Sequence, residues 1–338
     1  MTFLQACCTL HRLHIFEMFR VTSLMLPTIA LCIFLLAHQG FGSRLRPTIQ
    51  EVNDPLVKGL PYAPIKQNLT SLKPNSHGTA HPLEGPGPEE VTYIIAHQTS
   101  VGGPNDNYYG LQAITDVYGH DLKTGQLSAT IIWVHHTGDG SKSSLNTIQV
   151  GWHIHPERYG DTRTHLFAYW TRDGYETTGC FNRDCPGFIT AKGATVSLGA
   201  IIDPVSDLNG GSLQNVTLKL LKEKTSGDWW VYYGFNSVPT AVGYYPSSLF
   251  TNLAKIANTV SFGAYVSVDR AQPTPPLGSG ASPNDGQGHA ASFSDMQTID
   301  VDGTGKPIME DLPSVAKCYS IAPVSHGKFF YGGPGGCA

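Results

Sequence analysis

The chain has 338 residues, of which only 14% are charged, with 37 Gly and 23 Pro. Sparse charge, frequent turn residues and short runs of Tyr, Phe, Trp, Thr and Val point to one large β domain or two ordinary ones and away from a helical bundle. A formal net charge of -4 without long like-charge runs gives no electrostatic footprint for nucleic acid and no polybasic patch for a membrane surface.

In chain order, Arg12 and Arg20 precede an apolar run from Val21 to Ala37, and Gly40, Phe41 and Gly42 follow it. This reads as a secretory signal peptide over 1–42, with an atypically long lead that Met18 as initiator would shorten. The run approaches the roughly 20 residues of a bilayer span, so an uncleaved anchor is the alternative; after cleavage no span remains. Cys7, Cys8 and Cys32 would leave with the signal, and Cys180, Cys185, Cys318 and Cys337 remain. An even remainder in an oxidising compartment implies two disulfides. Of the three possible connectivities, Cys180 with Cys185 and Cys318 with Cys337 joins the pairs closest in sequence. The C-x4-C spacing has no matching second pair, which makes a poor zinc frame. Asn68-Leu-Thr70 and Asn215-Val-Thr217 are acceptor sequences for glycosylation.

Residues 43–89 are polar and rich in proline, from Pro47 to Pro88, and read as a pro-segment or linker. The folded domain is expected over 90–338. Val91–Ala96, Ala129–Val134 and Thr164–Thr171 read as strands between clusters of Gly, Asn and Asp. Pro246, then Ser247 as a possible N-cap, precedes Leu249, Leu253, Ile256 and Val260, an apolar stripe that predicts one helix packed on a sheet. The fold class is all-β: an antiparallel β-sandwich with one short helix. No nucleophile elbow, P-loop, G-x-G-x-x-G or H-E-x-x-H is present, and no cofactor or metal is expected. Asp300-Val-Asp-Gly-Thr-Gly305 resembles the start of a calcium loop but lacks the later ligands, so a turn is expected.

An ordered set of aromatic and glycine motifs runs through the second half: Ile148-Gln-Val-Gly-Trp152, Tyr159-Gly-Asp161, Leu166-Phe-Ala-Tyr-Trp-Thr171, Asp173-Gly-Tyr175, Thr178-Gly-Cys180, Asn182 and Cys185-Pro-Gly-Phe188. Trp229-Trp230, Gly243-Tyr-Tyr-Pro246, Leu249-Phe250, Gly278-Ser-Gly280, Cys318-Tyr319 and Gly332-Gly-Pro-Gly335 follow. In order and spacing these closely resemble the neprosin domain of secreted plant proteins, over about 90–338. The resemblance implies a β-sandwich glutamic endopeptidase that cleaves near proline at acidic pH, made with a pro-segment at the position of 43–89. It also implies two disulfides where the paired cysteines fall, and a secreted, extracellular or vacuolar location.

Such catalysis needs two glutamates, one to activate water and one to donate as the carbonyl becomes tetrahedral; close carboxyls separate their own pKa values. The first family glutamate, in a motif like I-E-A-G-W, falls on Gln149, and the second, in W-G-G-E-V, on Tyr265. An amide takes no proton and a phenol stays protonated in acid, so neither position offers a base. Ile131 stands where the family often has Gln, in the strand that carries Trp133, and His165 where it often has Arg.

Period two places Gln149, Gly151, His153 and His155 on one strand face and Val150, Trp152 and Ile154 on the other. His153 and His155 are therefore cleft candidates with Trp133, as a metal pair or a substitute base; without a third ligand, two polar residues on a solvated concave face is the favoured reading. The leading functional expectation is a secreted protein of this family that has lost peptidase chemistry and binds a Pro-containing peptide or wall polymer. The alternatives are an active acid endopeptidase with a rebuilt site and a structural extracellular protein.

Overall fold

A computed structural model of the chain describes residues 90–99, 107–308, 310–311 and 318–337. The N-terminal apolar run, the proline-rich segment and the Asn68 acceptor lie outside the described residues. The first sheet has the order β1 (Glu90–Thr99), β11 (Thr259–Asp269), β3 (Gln126–His136), β4 (Asn146–Ile154), β5 (Thr164–Thr171) and β6 (Cys180–Phe181), every pair antiparallel. The second has the order β15 (Ser320–Ile321), β17 (Phe329–Gly332), β12 (Ala291–Ile299), β2 (Gly110–Asp116), β8 (Asn215–Lys222), β9 (Trp229–Phe235), β10 (Thr240–Tyr245) and β7 (Ile189–Thr190), also antiparallel. Strand β13 (Gly305–Pro307) adds to β12, and β14 (Glu310–Asp311) pairs with β16 (Val324–Ser325).

Alternation builds the core between the sheets. Val150 and Trp152 of β4, Leu166 and Ala168 of β5, and Phe262 and Ala264 of β11 point inward from one side; Leu111, Leu218, Val231 and Phe293 meet them from the other. Two hydrogen bonds tie the layers: Trp152 Nε1 donates to Asp116 O at 3.0 Å, and the buried Thr130 Oγ1 lies 2.7 Å from Tyr331 OH. The opposite face of the first sheet is apolar as well. Leu127, Ala129, Ile131, Trp133, Phe167, Tyr169, Phe181 and Tyr265 form a second buried cluster there. Strands β3, β4 and β5 are therefore buried on both faces, which explains their near-continuous apolar runs.

The helix expected from the stripe after Pro246 does not form. Only Ser247–Leu249 makes one 3-10 turn, and β11 begins at Thr259. Among the described residues the one α-helical turn is instead α1 (Pro156–Tyr159), with proline at its start and Gly160 in the left-handed region at its end. The reason is capture of the backbone by tertiary partners. Fully buried Asn146 accepts with Oδ1 from the N–H groups of Thr251, Asn252 and Leu253 at 3.0, 2.8 and 3.1 Å. Trp229 Nε1 and Lys222 Nζ take the Leu253 carbonyl, and Lys222 Nζ also takes that of Ala254. Groups that would form the helical ladder are already spent, and the apolar stripe packs without it.

Cys180 is bonded to Cys185 and Cys318 to Cys337, which removes the zinc reading of the first pair. Asp300–Gly305 is a turn in which Asp300 Oδ1 accepts from the N–H groups of Asp302 and Thr304. Asn215 opens β8 with a half-buried side chain. Among the described residues, no helix is long and apolar enough to cross a membrane.

Candidate functional site

Antiparallel register orders the outer face of the first sheet into rows that cross its strands. One row holds Ser261, Trp133, Gln149 and Tyr169. The next but one along the strands holds Tyr265, Ala129, His153 and His165. Between them lies Gly263, Ile131, Gly151 and Phe167. Gln149 and Tyr265 thus share a face but not a row. They are four residues apart along the strands and two strands apart across them, about 16 Å between Cα atoms in a flat sheet. Side chains at the two positions can approach only by leaning over the middle row. Gly151 is also required by β3: a Cβ there would lie 1.9 Å from Thr130 O.

Gln149 is fully buried, and its Nε2 donates to Tyr175 OH at 3.3 Å. Its Oε1 has no hydrogen-bond partner, and neither has Nε1 of Trp133, the cross-strand neighbour. Tyr175 reaches Gln149 from the loop after β5 with a left-handed φ of 67°. The Asp173 carboxylate holds that loop by accepting from the N–H groups and hydroxyls of Thr177 and Thr178. Burial raises the Asp173 carboxyl, but those hydrogen bonds outweigh it and hold it down to about 2.

At the other end of the face, His153 stacks on Phe167 with ring centroids 3.9 Å apart. Asn182 Oδ1 accepts from Ala168 N–H, which orients its amide so that Nδ2 donates to Tyr159 OH at 3.1 Å. The Tyr159 hydroxyl is hydrogen-bonded to His153 Nε2 at 2.9 Å, with the proton on either atom, which leaves Nδ1 as the other ring nitrogen. That Nδ1 is buried without a partner. Burial, followed by the nearby His155, Arg158 and His165, pushes the His153 pKa well below the ordinary imidazole value. Burial and then Arg158 push His155 down to about 4. His135, two residues beyond Trp133, has both ring nitrogens unpartnered and is pushed down to about 3, first by burial and then by His136.

The alternation of Gln149, His153 and His155 onto one face is observed, and Trp133 joins them. Their expected solvation is not: His153 is 0% and His155 7% exposed, because Phe167, Phe181 and Tyr159 pack around the His153 ring and Phe181 and His153 pack against His155. Among the described residues no group of three or more His, Cys, Asp or Glu could hold a metal ion. Tyr159, Tyr175 and Asn182 were visible in the sequence only as motif residues. Their roles as partners of His153 and Gln149 come from turns that fold them back onto the sheet.

The fold and this face define a β-sandwich with a buried polar and aromatic seat on the outside of one sheet. The chain matches the Neprosin family over residues 124–334 and belongs to that family. Among solved structures it is similar to scytalido-glutamic peptidase with a transition state analog inhibitor, at 9% identity and a TM-score of 0.37, covering 72% of this chain and 98% of that one. It is also similar to SCP-B, a member of the Eqolisin family of peptidases in a complex with the tripeptide Ala-Ile-His, at 10% identity, TM-score 0.34, and coverage of 72% and 98%. A third similarity is to alginate lyase vAL-1 from Chlorella virus, at 10% identity, TM-score 0.25, and coverage of 55% and 85%.

Proposed function

We propose that the chain is a secreted neprosin-family protein that has lost peptidase chemistry and holds an extended peptide on the outer face of its first sheet, with 43–89 preceding the domain as a pro-segment. One observation carries the reading. Strands β3 to β6 contain no Asp or Glu, and β11 contains only Asp269, at its last position. A two-carboxyl mechanism has neither of its members at the two family positions, and Asp269 and its register partner Glu90 stand at the end of the sheet, four residues beyond Tyr265. Gln149 is an amide, Tyr265 is a phenol, and His153 is fully buried with Nε2 engaged by Tyr159.

The same face is suited to binding. Trp133 Nε1 and Gln149 Oε1 are an unpaired donor and an unpaired acceptor on register-opposed residues. Both atoms are buried, so a peptide unit, which supplies the matching carbonyl and N–H, engages them only when the cover over this face opens. Each buried polar atom left unpaired costs about 1–3 kcal/mol, which a bound backbone would recover. The middle row crosses β11, β3, β4 and β5, a span of about 14 Å that fits roughly four extended residues.

Fluorescence anisotropy with a labelled Pro-containing octapeptide tests this on the purified secreted protein. Saturable binding is expected, weakened roughly tenfold in Trp133→Phe, which keeps an aromatic ring but removes the donor. Absence of saturable binding by the wild type contradicts the reading.

A further inference from the structure

Beyond β5, at the end of the face marked by Phe181, a cavity of about 570 Å³ is lined by Arg158, Tyr159, Asn182, Arg183, Asp184 and Gly199, with Leu198. We propose that this cavity binds a carboxylate, carried by an acidic side chain or the C-terminus of the peptide seated on the adjoining face. The inference rests on the peptide-binding reading above and adds its specificity.

Charge and unfilled donors point to an anion. Two guanidinium groups meet one carboxylate: Arg158 pairs with Asp184, whereas Arg183 is exposed and has no ion pair among the described residues. Arg158 Nε is buried without a partner, so the guanidinium already held by Asp184 keeps an unused donor. Planar guanidinium forks match carboxylates through paired, charge-assisted hydrogen bonds, and Asp184 shows that Arg158 accepts such a group here.

Aromatic packing fixes the position of this charge. The Arg158 guanidinium lies 4.7 Å from the centroid of Phe181 and 5.6 Å from that of Tyr159. Tyr159 in turn stacks on His165 at 3.7 Å, and the His165 ring donates through Nδ1 to Gly199 O. Phe181 belongs to the outer-face cluster, and Tyr159 is the hydrogen-bond partner of His153 on that face. A peptide running along the middle row past Phe167 therefore comes to Arg158 next. Asp184 is half exposed at the cavity rim and is placed to give way to an incoming carboxylate.

The test compares three labelled hexapeptides that share their first five residues, including proline, and end in Glu-amide, Gln-amide or Gln with a free carboxylate. The wild type is expected to bind one or both carboxylate peptides about tenfold more tightly than the Gln-amide peptide. The Glu-amide and free-acid arms separate the two carboxylate sources. Arg183→Gln and Arg158→Lys should each erase most of the preference. Asp184→Asn should strengthen the carboxylate peptides several-fold, an effect that a purely structural ion pair does not give. Equal affinity for all three peptides overturns the carboxylate site and leaves the peptide seat standing. If none binds, the seat fails, and the cavity is judged alone by the Nε NMR signals of Arg158 and Arg183 under titration with glutarate at constant ionic strength. A saturable shift supports the site; a response equal to that from chloride overturns it.

Discussion

Acid should destabilise this domain in the range where family peptidases work, because buried imidazoles must remain uncharged for it to stay folded. His155 titrates at about 4 in the folded chain and His135 at about 3, while His153 is also pushed down. An unfolded chain protonates its histidines near 6.5. Between those values the unfolded state binds more protons, so stability rises with pH and is lost as pH falls from about 6.5 toward 4. For His155 alone the loss at pH 4 is roughly 3 kcal/mol, and His135 contributes a loss of similar size, against a total stability on the order of 5–15 kcal/mol. Thermal melts of the purified protein from pH 7.5 to 4 should show a fall of 10 °C or more, on the order of ΔΔG divided by the unfolding entropy. His155→Gln should flatten part of that slope. A melting temperature constant from pH 7 to 4 would refute the reasoning.

Asn146→Ala removes the acceptor of three N–H groups, that of Leu253 buried and those of Thr251 and Asn252 partly so, and should cost roughly 2–3 kcal/mol in urea unfolding; a loss below about 1 kcal/mol would mean the 251–253 backbone finds other partners. Gly151→Ala places a methyl 1.9 Å from Thr130 O, a backbone atom, so separation of β3 and β4 and a loss of about 3 kcal/mol are expected by the same assay. The Cys318–Cys337 bond closes a separation of 19 residues and Cys180–Cys185 one of 5. Replacing the first pair with alanine should therefore cost about 3 kcal/mol and the second about 2, and non-reducing peptide mapping that finds Cys180 joined to Cys318 would contradict both.

The strands were readable where apolar residues were dense, and the face of Gln149, His153 and His155 followed from period two alone. Burial of that face was not readable. Polar side chains at period two signal a solvated face unless aromatic residues from elsewhere cover them, and Tyr159 of α1, Phe181 of the short strand β6 and Tyr175 of the loop after β5 do so. The stripe at Leu249, Leu253, Ile256 and Val260 has helical spacing yet no helix, because Asn146, Lys222 and Trp229 are distant in sequence and carry no local signal there. Arg158 and Arg183 sit in no pattern that spacing could single out. Their shared cavity exists only once α1 and the loop after β6 fold side by side.

Cleavage of Pro-containing peptides by the purified protein, followed by mass spectrometry from pH 3 to 7, tests the proposed loss of peptidase chemistry most directly. No cleavage above the buffer rate is expected from the wild type. Gln149→Glu alone should stay silent, and Gln149→Glu with Tyr265→Glu should reach at most a weak rate, since the two carboxyls must lean across the Gly151 and Gly263 row. Robust wild-type cleavage that disappears in His153→Ala or His155→Ala would contradict the claim and establish a rebuilt site.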